Sequence, residues 1–263
     1  MTLEHSLERI VTIRARRETV FRYFTDPARF AAWWGAGSTI DPRPGGAVRI
    51  RYPNAVAASG EVIELKPPER IVFTYGYEDP SKPIRPGGSR VTITLAPVPE
   101  GTRLTLTHEF ADSKTRDEHR QGWPYQLAVF ATVVAAEEHA GVGGVADLWF
   151  RAWAERDPVR RRADLSAAAS PDVEFRDAYG CVAGIDDLEQ HIVQVQMFMP
   201  GLTLVRAGEP RQCQGTALVD WVVRGPDGSE RGRGTNAVEL APDGRFARVV
   251  GLPARPEGAQ VQG

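Results

Sequence analysis

Two polar residues in the C-terminal half stand where proton chemistry could be done. Asp177 closes a short alternating run, residues 173–177, in which Val173, Phe175 and Asp177 share a face. An aspartate at the end of an inward apolar row points into the mouth of whatever that row lines. There it could take a proton from a carbon next to a carbonyl group. The alternative is an Asx turn, in which the carboxylate only caps a backbone N–H of the following residues. Asn236 sits in residues 231–240, where Gly232, Gly234, Asn236, Val238 and Leu240 share a face. The two glycines leave room for a ligand beside an amide that could donate to a carbonyl or enolate oxygen. In the same strand series Trp221 and Asp220 have opposite parity; Trp221 is expected inside, with Asp220 outside or at an interface.

Two histidines are further candidates. His191 follows Leu188 by three residues and precedes Val195 by four, so it lies on the apolar side of a helix and could reach a pocket. His108 shares a strand face with Leu104, Leu106 and Phe110, which turns it inward. Each has a plain structural reading, a buried imidazole satisfied by a backbone or hydroxyl partner, beside the reading as a ligand contact.

These residues need elements to hold them, and the chain carries two sets. Residues 7–14 read as a strand and Val20, Phe21 and Phe24 as a helical stripe. Asp26-Pro27 then opens a second short helix ending at Trp33-Trp34. Alternating runs follow, carrying Val48, Ile50 and Tyr52, then Ile71, Phe73, Tyr75 and Tyr77, then Val91, Ile93 and Leu95, up to Phe110. Residues 117–140 are expected as one long helix, with Leu127, Phe130, Val133 and Val134 at helical spacing. The seam Gly141-Val142-Gly143-Gly144 reads as a linker. Beyond it come a helix at 145–157, a second from Asp157-Pro158, the strand holding Asp177 and a helix at 185–199. Four strand-like segments close the series: 202–207, 212–223, 231–240 and 245–250. The expected organisation is two α+β domains, residues 1–140 and 145–263.

The first half resembles the SRPBCC, or START-like, superfamily, in its branch similar to the Hsp-90 ATPase activator domain. The resemblance rests on an ordered series: Val20-Phe21-Arg22-Tyr23-Phe24-Thr25-Asp26-Pro27, Trp33-Trp34-Gly35, Arg43-Pro44-Gly45-Gly46, Pro67-Pro68-Glu69-Arg70-Ile71, Thr105-Leu106-Thr107-His108 and Gly122-Trp123. It implies a helix-grip fold with a cavity between sheet and long helix. Trp33, Tyr75, His108 and Trp123 are its expected ligand contacts. The second half resembles the SnoaL-like branch of the nuclear transport factor two-like superfamily. That resemblance rests on Ala152-Trp153, Asp177-Ala178-Tyr179-Gly180, Phe198-Met199-Pro200-Gly201, Trp221, Gly234-Thr235-Asn236 and Asp243-Gly244-Arg245. It implies a cone-shaped pocket walled by Trp149, Trp153, Tyr179, His191 and Trp221. It also implies a base at Asp177, with Asn236 and Trp149 where ketosteroid isomerase-like members carry a protonated aspartate and a tyrosine. The outer face of the meander, often a dimer surface in that superfamily, leaves a homodimer open.

Composition narrows the partners. The apolar fraction is 42% and the charged fraction 25%, ordinary for a globular chain. A net charge of −2 offers no basic field for nucleic acid or an anionic membrane. The N-terminal residues lack an apolar leader, no stretch has the length of a membrane span, and a cytoplasmic location is the expectation. Cys181 and Cys213 stand outside any metal-ligand spacing, and no Rossmann fingerprint or phosphate loop occurs, so no cofactor is expected. The expected partner is a small hydrophobic molecule. The leading expectation is a cofactor-free cyclase or isomerase acting on a carbonyl compound through Asp177. A non-catalytic binding protein is the alternative, and a co-chaperone-type interaction module a third.

Overall fold

In the computed structural model the described residues are 2–254, and the chain divides between Glu138 and His139 into two compact units. Both are α+β. The N-terminal unit runs β1 (His5–Ile13), α1 (Arg17–Arg22), α2 (Pro27–Trp34), β2 (Thr39–Ile40), β3 (Ala47–Arg51), β4 (Ala57–Lys66), β5 (Arg70–Tyr77), β6 (Ser89–Val98), β7 (Gly101–Phe110), α3 (Ser113–His119) and α4 (Gly122–Glu138). Its seven strands form one antiparallel sheet in the order β1-β7-β6-β5-β4-β3-β2. Leu127, Phe130 and Val134 of α4 share one buried cluster with the inward strand residues, as expected of a helix gripped by a sheet.

Local chemistry explains the helix starts. The Asp26 carboxylate accepts the Arg29 backbone N–H at 3.0 Å and Pro27 occupies the first helical turn of α2. Such a cap stabilises by about 1 kcal/mol. The long helix expected over 117–140 is two helices instead. Pro124 is the reason. It has no N–H to give the carbonyl four residues back, and its ring would crowd that carbonyl. That carbonyl belongs to Arg120, and it accepts the Arg9 guanidinium at 2.9 Å.

The C-terminal unit runs α5 (Val142–Ala154), α6 (Pro158–Ala168), β8 (Ala169–Arg176), β9 (Cys181–Ala183), α7 (Ile185–Phe198), β10 (Thr203–Arg206), β11 (Arg211–Cys213), β12 (Thr216–Arg224), β13 (Glu230–Leu240) and β14 (Phe246–Pro253). The sheet order is β10-β12-β13-β14-β8-β9, with β11 also on β12 and β14 parallel to β8. Asp157 caps α6 through the Arg160 N–H at 2.9 Å, with Pro158 following, the same device as at α2. The core gathers around Trp149, whose ring lies 5.5 Å from Phe246 and 5.9 Å from Phe175.

Two further expectations change here. The glycine seam is not a loose linker: Gly141 caps α5, and Gly143 and Gly144 lie inside its first turn. The strand expected over 212–223 breaks at Gln214-Gly215, both with positive φ, 50° and 81°. They form a two-residue hairpin turn between β11 and β12. Residues 255–263 of the expected second domain lie outside the described residues.

Candidate functional site

The C-terminal unit holds a cavity of about 710 Å³, a size that suits a small organic ligand. Its sides are Trp149, Trp153, Phe175, Val195, Met199 and Leu204, and its polar residues include Asp177 and Asn236. Asp177 stands immediately after β8. Its Oδ1 accepts two backbone N–H groups, Tyr179 at 2.7 Å and Gly180 at 2.7 Å, so the Asx turn is real. That leaves Oδ2 without a backbone donor. Oδ2 lies 3.5 Å from Nε2 of His191.

Asn236, on β13, is almost fully buried. Its Oδ1 accepts the Trp221 indole N–H at 3.0 Å. An indole nitrogen only donates, so this bond fixes which way the amide points. The amide NH2 is then the group Asn236 offers the cavity. Gly234 makes the arrangement fit. It pairs with Trp221 across β12 and β13, and a Cβ there would collide with the Trp221 ring and the Leu252 carbonyl. This corrects the expectation that both glycines clear space for a ligand. Gly232 does line the cavity, whereas Gly234 clears space for the indole that holds Asn236.

Asp177 and Asn236 come together around one more glycine. A Cβ on Gly251 would fall 3.3 Å from Asp177 Cβ and 3.4 Å from Asn236 Oδ1. The Asp177 and Asn236 side chains thus meet across Gly251 on one stretch of the cavity wall. Such a pair can remove a proton beside a carbonyl while stabilising the oxygen that gains charge.

Trp149, Trp153, Tyr179 and Trp221 all line this cavity, Tyr179 as an exposed residue at its edge. The Trp153 indole N–H is buried with no acceptor. His191 does not line the cavity. It is buried behind the wall, its ring 5.8 Å from Trp153 and 5.4 Å from Phe175. Asp220 takes the outward position, accepting the Thr235 hydroxyl at 2.6 Å. The rim is charged but self-paired: Arg233 meets Glu230 at 2.6 Å and Arg231 meets Asp227 at 3.0 Å. Sequence reasoning missed Gly251, and missed that a side chain at Gly180 would displace His191 and one at Gly234 would displace Trp221.

The N-terminal unit has its own cavity of about 730 Å³. His108 is on its wall, fully buried, and every ring nitrogen is accounted for. The Trp123 indole donates to Nδ1 at 3.1 Å, so Nε2 carries the hydrogen. Nε2 then donates to Ser89 Oγ at 2.9 Å, and that hydroxyl donates to the Tyr75 carbonyl at 2.9 Å. Burial, then the proximity of His119, pushes the imidazole well below its ordinary range and keeps it neutral. His119 is also lowered, chiefly by burial. Its Nδ1 donates to the Thr115 carbonyl at 2.8 Å, and Nε2 accepts the Tyr77 hydroxyl at 3.2 Å. Tyr52 and Tyr75 share a hydrogen bond of 2.9 Å, and burial raises both phenols.

Tyr75 and Trp123 line this cavity as expected. Trp33 does not. It faces the core, 4.8 Å from Phe130 and 5.9 Å from Phe24, and its carbonyl accepts the Gln126 amide. Its neighbour Trp34, one helical step round, takes the wall position. Tyr52, Tyr77, His119 and Gln126 complete the polar wall. Tyr77 carried a signal, since it shares the strand parity of Tyr75; His119 sits on the unexpected short helix α3 and carried none. Among the described residues no group of three or more His, Cys, Asp or Glu side chains could hold a metal ion, and no helix is long and apolar enough to cross a membrane.

Residues 14–135 match the family described as Activator of Hsp90 ATPase homolog 1-like protein. Among curated proteins none matches the chain. Solved structures similar to it include a candidate isomerase of the SnoaL-like family from Agrobacterium tumefaciens strain C58, 27% identical, covering 45% of this chain and 99% of its own, with a TM-score of 0.41. The AHSA1 protein from Silicibacter pomeroyi is 25% identical and covers 51% of this chain and 99% of its own, with a TM-score of 0.42. A protein from Chromobacterium violaceum is 29% identical and covers 49% of this chain and 96% of its own, also at 0.42.

Proposed function

We propose that this chain handles small apolar molecules in two separate domains, and that the C-terminal cavity moves a proton next to a carbonyl group. The observation that carries the reading is that the Asp177 and Asn236 side chains meet across Gly251 and both line one aromatic cavity. The resemblance of residues 145–252 to SnoaL-like proteins supports it. In this reading Asp177 Oδ2 takes a proton from the carbon beside the carbonyl. The electron pair moves to the oxygen, which Asn236 Nδ2 holds by a hydrogen bond. Asp177 then returns the proton at the same carbon or at the vinylogous one, the net result being exchange or isomerisation without a cofactor. Where the nucleophilic carbon instead attacks a second carbonyl of the same molecule and Asp177 gives the proton to the new alkoxide, the result is cyclisation. The oxygen meets an amide NH2 rather than a strong acid, so the carbon acids within reach are those already activated by a second unsaturated group.

2-Tetralone is a suitable probe, because its C1–H lies between a carbonyl and an aromatic ring. In D2O the wild type should speed deuterium incorporation at C1, followed by NMR. Asp177→Asn should lower that rate by about two to four orders of magnitude, the usual worth of a positioned general base, while binding stays near wild type. Equal rates would remove Asp177 from the chemistry. The second reading is a binding protein without turnover. The Asx turn favours it, because the turn alone explains why an aspartate stands at position 177. No exchange in the wild type, with ligand bound, is its signature.

A further inference from the structure

His191 is buried on α7, yet its Nε2 has no hydrogen-bond partner. A polar atom removed from water without a partner costs about 1–3 kcal/mol, so its placement calls for a reason. The nearest charged group is Asp177, whose Oδ2 is 3.5 Å from that nitrogen. The chain also makes room for the ring. A Cβ on Gly180 would fall 2.6 Å from His191 Cε1 and 2.7 Å from Nδ1, so any other residue there would push the imidazole off Asp177. Gly180 is at the same time one of the two backbone donors to Asp177 Oδ1. Of the charges on neighbouring elements, Arg161 and Arg162 pair with Glu189, and Arg176 and Arg248 pair with Glu174.

We propose that His191 is the positioning residue of Asp177: its Nε2–H is directed at Oδ2, 3.5 Å away, and so aims the remaining lone pair of Oδ2 at the carbon to be deprotonated. The inference deepens the proton-transfer reading and rests on it for its purpose. The carboxylate is then held from three sides, by two backbone N–H groups on Oδ1 and one imidazole N–H on Oδ2. Trp153 and Phe175, packed on the ring, link its position to the cavity wall.

The test is the tautomer of His191, read from imidazole nitrogen NMR of the full chain without any ligand, with the resonance identified by its loss in His191→Gln. In the wild type Nε2 should carry the hydrogen. In Asp177→Asn the amide oxygen takes the two backbone donors and the NH2 turns toward His191. Nε2 should then become the bare nitrogen, with the hydrogen on Nδ1. A bare Nε2 in the wild type, or one tautomer in both proteins, overturns the proposal. A structural filler would show no such exchange. A second arm uses His191→Phe, which keeps an aromatic ring without nitrogen. It should slow 2-tetralone exchange at least about tenfold with Kd for 2-tetralone unchanged, since orientation of the base acts on the chemical step. An unchanged rate also overturns it. If the wild type fails to exchange 2-tetralone, the proton-transfer reading falls, and the tautomer result still decides the pairing.

Discussion

Acid should unfold the N-terminal unit through His108. The folded ring is neutral because Trp123 occupies Nδ1 as a donor and burial opposes charge. In the unfolded chain the same ring titrates near pH 6.5. The sign follows from linkage. Below about pH 6.5 the unfolded state binds a proton that the folded state does not, so stability falls as pH falls and is fully present above that value. The slope approaches about 1.4 kcal/mol per pH unit, which amounts to about 2 kcal/mol between pH 7 and pH 5 while the folded ring stays unprotonated. The assay is urea unfolding of the full chain at several pH values, followed through the Trp123 indole N–H resonance, which reports on its own unit. His108→Gln removes the titration and is the control for all other groups. The stability gap between wild type and variant should shrink by about 2 kcal/mol from pH 7 to pH 5. A gap that does not change with pH would refute the neutral, donor-locked histidine.

Asn236→Ala should reduce 2-tetralone exchange by about two to three orders of magnitude, the usual cost of one oxyanion donor. Trp221→Phe should cost less, because it frees the amide to rotate without removing it; equal losses in the two variants would contradict the orienting role of the indole. Trp33→Ala should destabilise by about 3–5 kcal/mol as a core deletion. Trp34→Ala should instead weaken binding of a fluorescent apolar probe to the N-terminal cavity; calorimetry and probe titration separate the two, and the reverse pattern would put Trp33 on the wall.

The strands and helix starts were legible because they depend on near neighbours. Asp26-Pro27 and Asp157-Pro158 place a cap and a first-turn proline together, and both helices begin there. The alternation that turned His108 inward and Asp177 toward the cavity is a property of single strands. The misreadings have a common form. The apolar spacing through Leu127 and Val134 hid Pro124, whose missing N–H ends the regularity. The Trp33-Trp34 pair offered two indoles, and only the packing of Phe24 and Phe130 decides which one enters the core. Gly180, Gly234 and Gly251 matter through atoms far along the chain, His191, Trp221 and Asp177, and no local pattern points to them. His191 was read as a cavity residue because helical spacing gives a face and not a depth.

The central claim is that Asp177 and Asn236 act on one ligand in the C-terminal cavity. 2-Naphthol has the shape of the enol of 2-tetralone and does not turn over. A crystal structure of the full chain with 2-naphthol tests the claim most directly. The naphthol oxygen should lie within hydrogen-bond distance of Asn236 Nδ2, with the C1 edge toward Asp177 Oδ2. A naphthol found only in the N-terminal cavity, or with its oxygen on Arg231 or Arg233 at the rim, would contradict it.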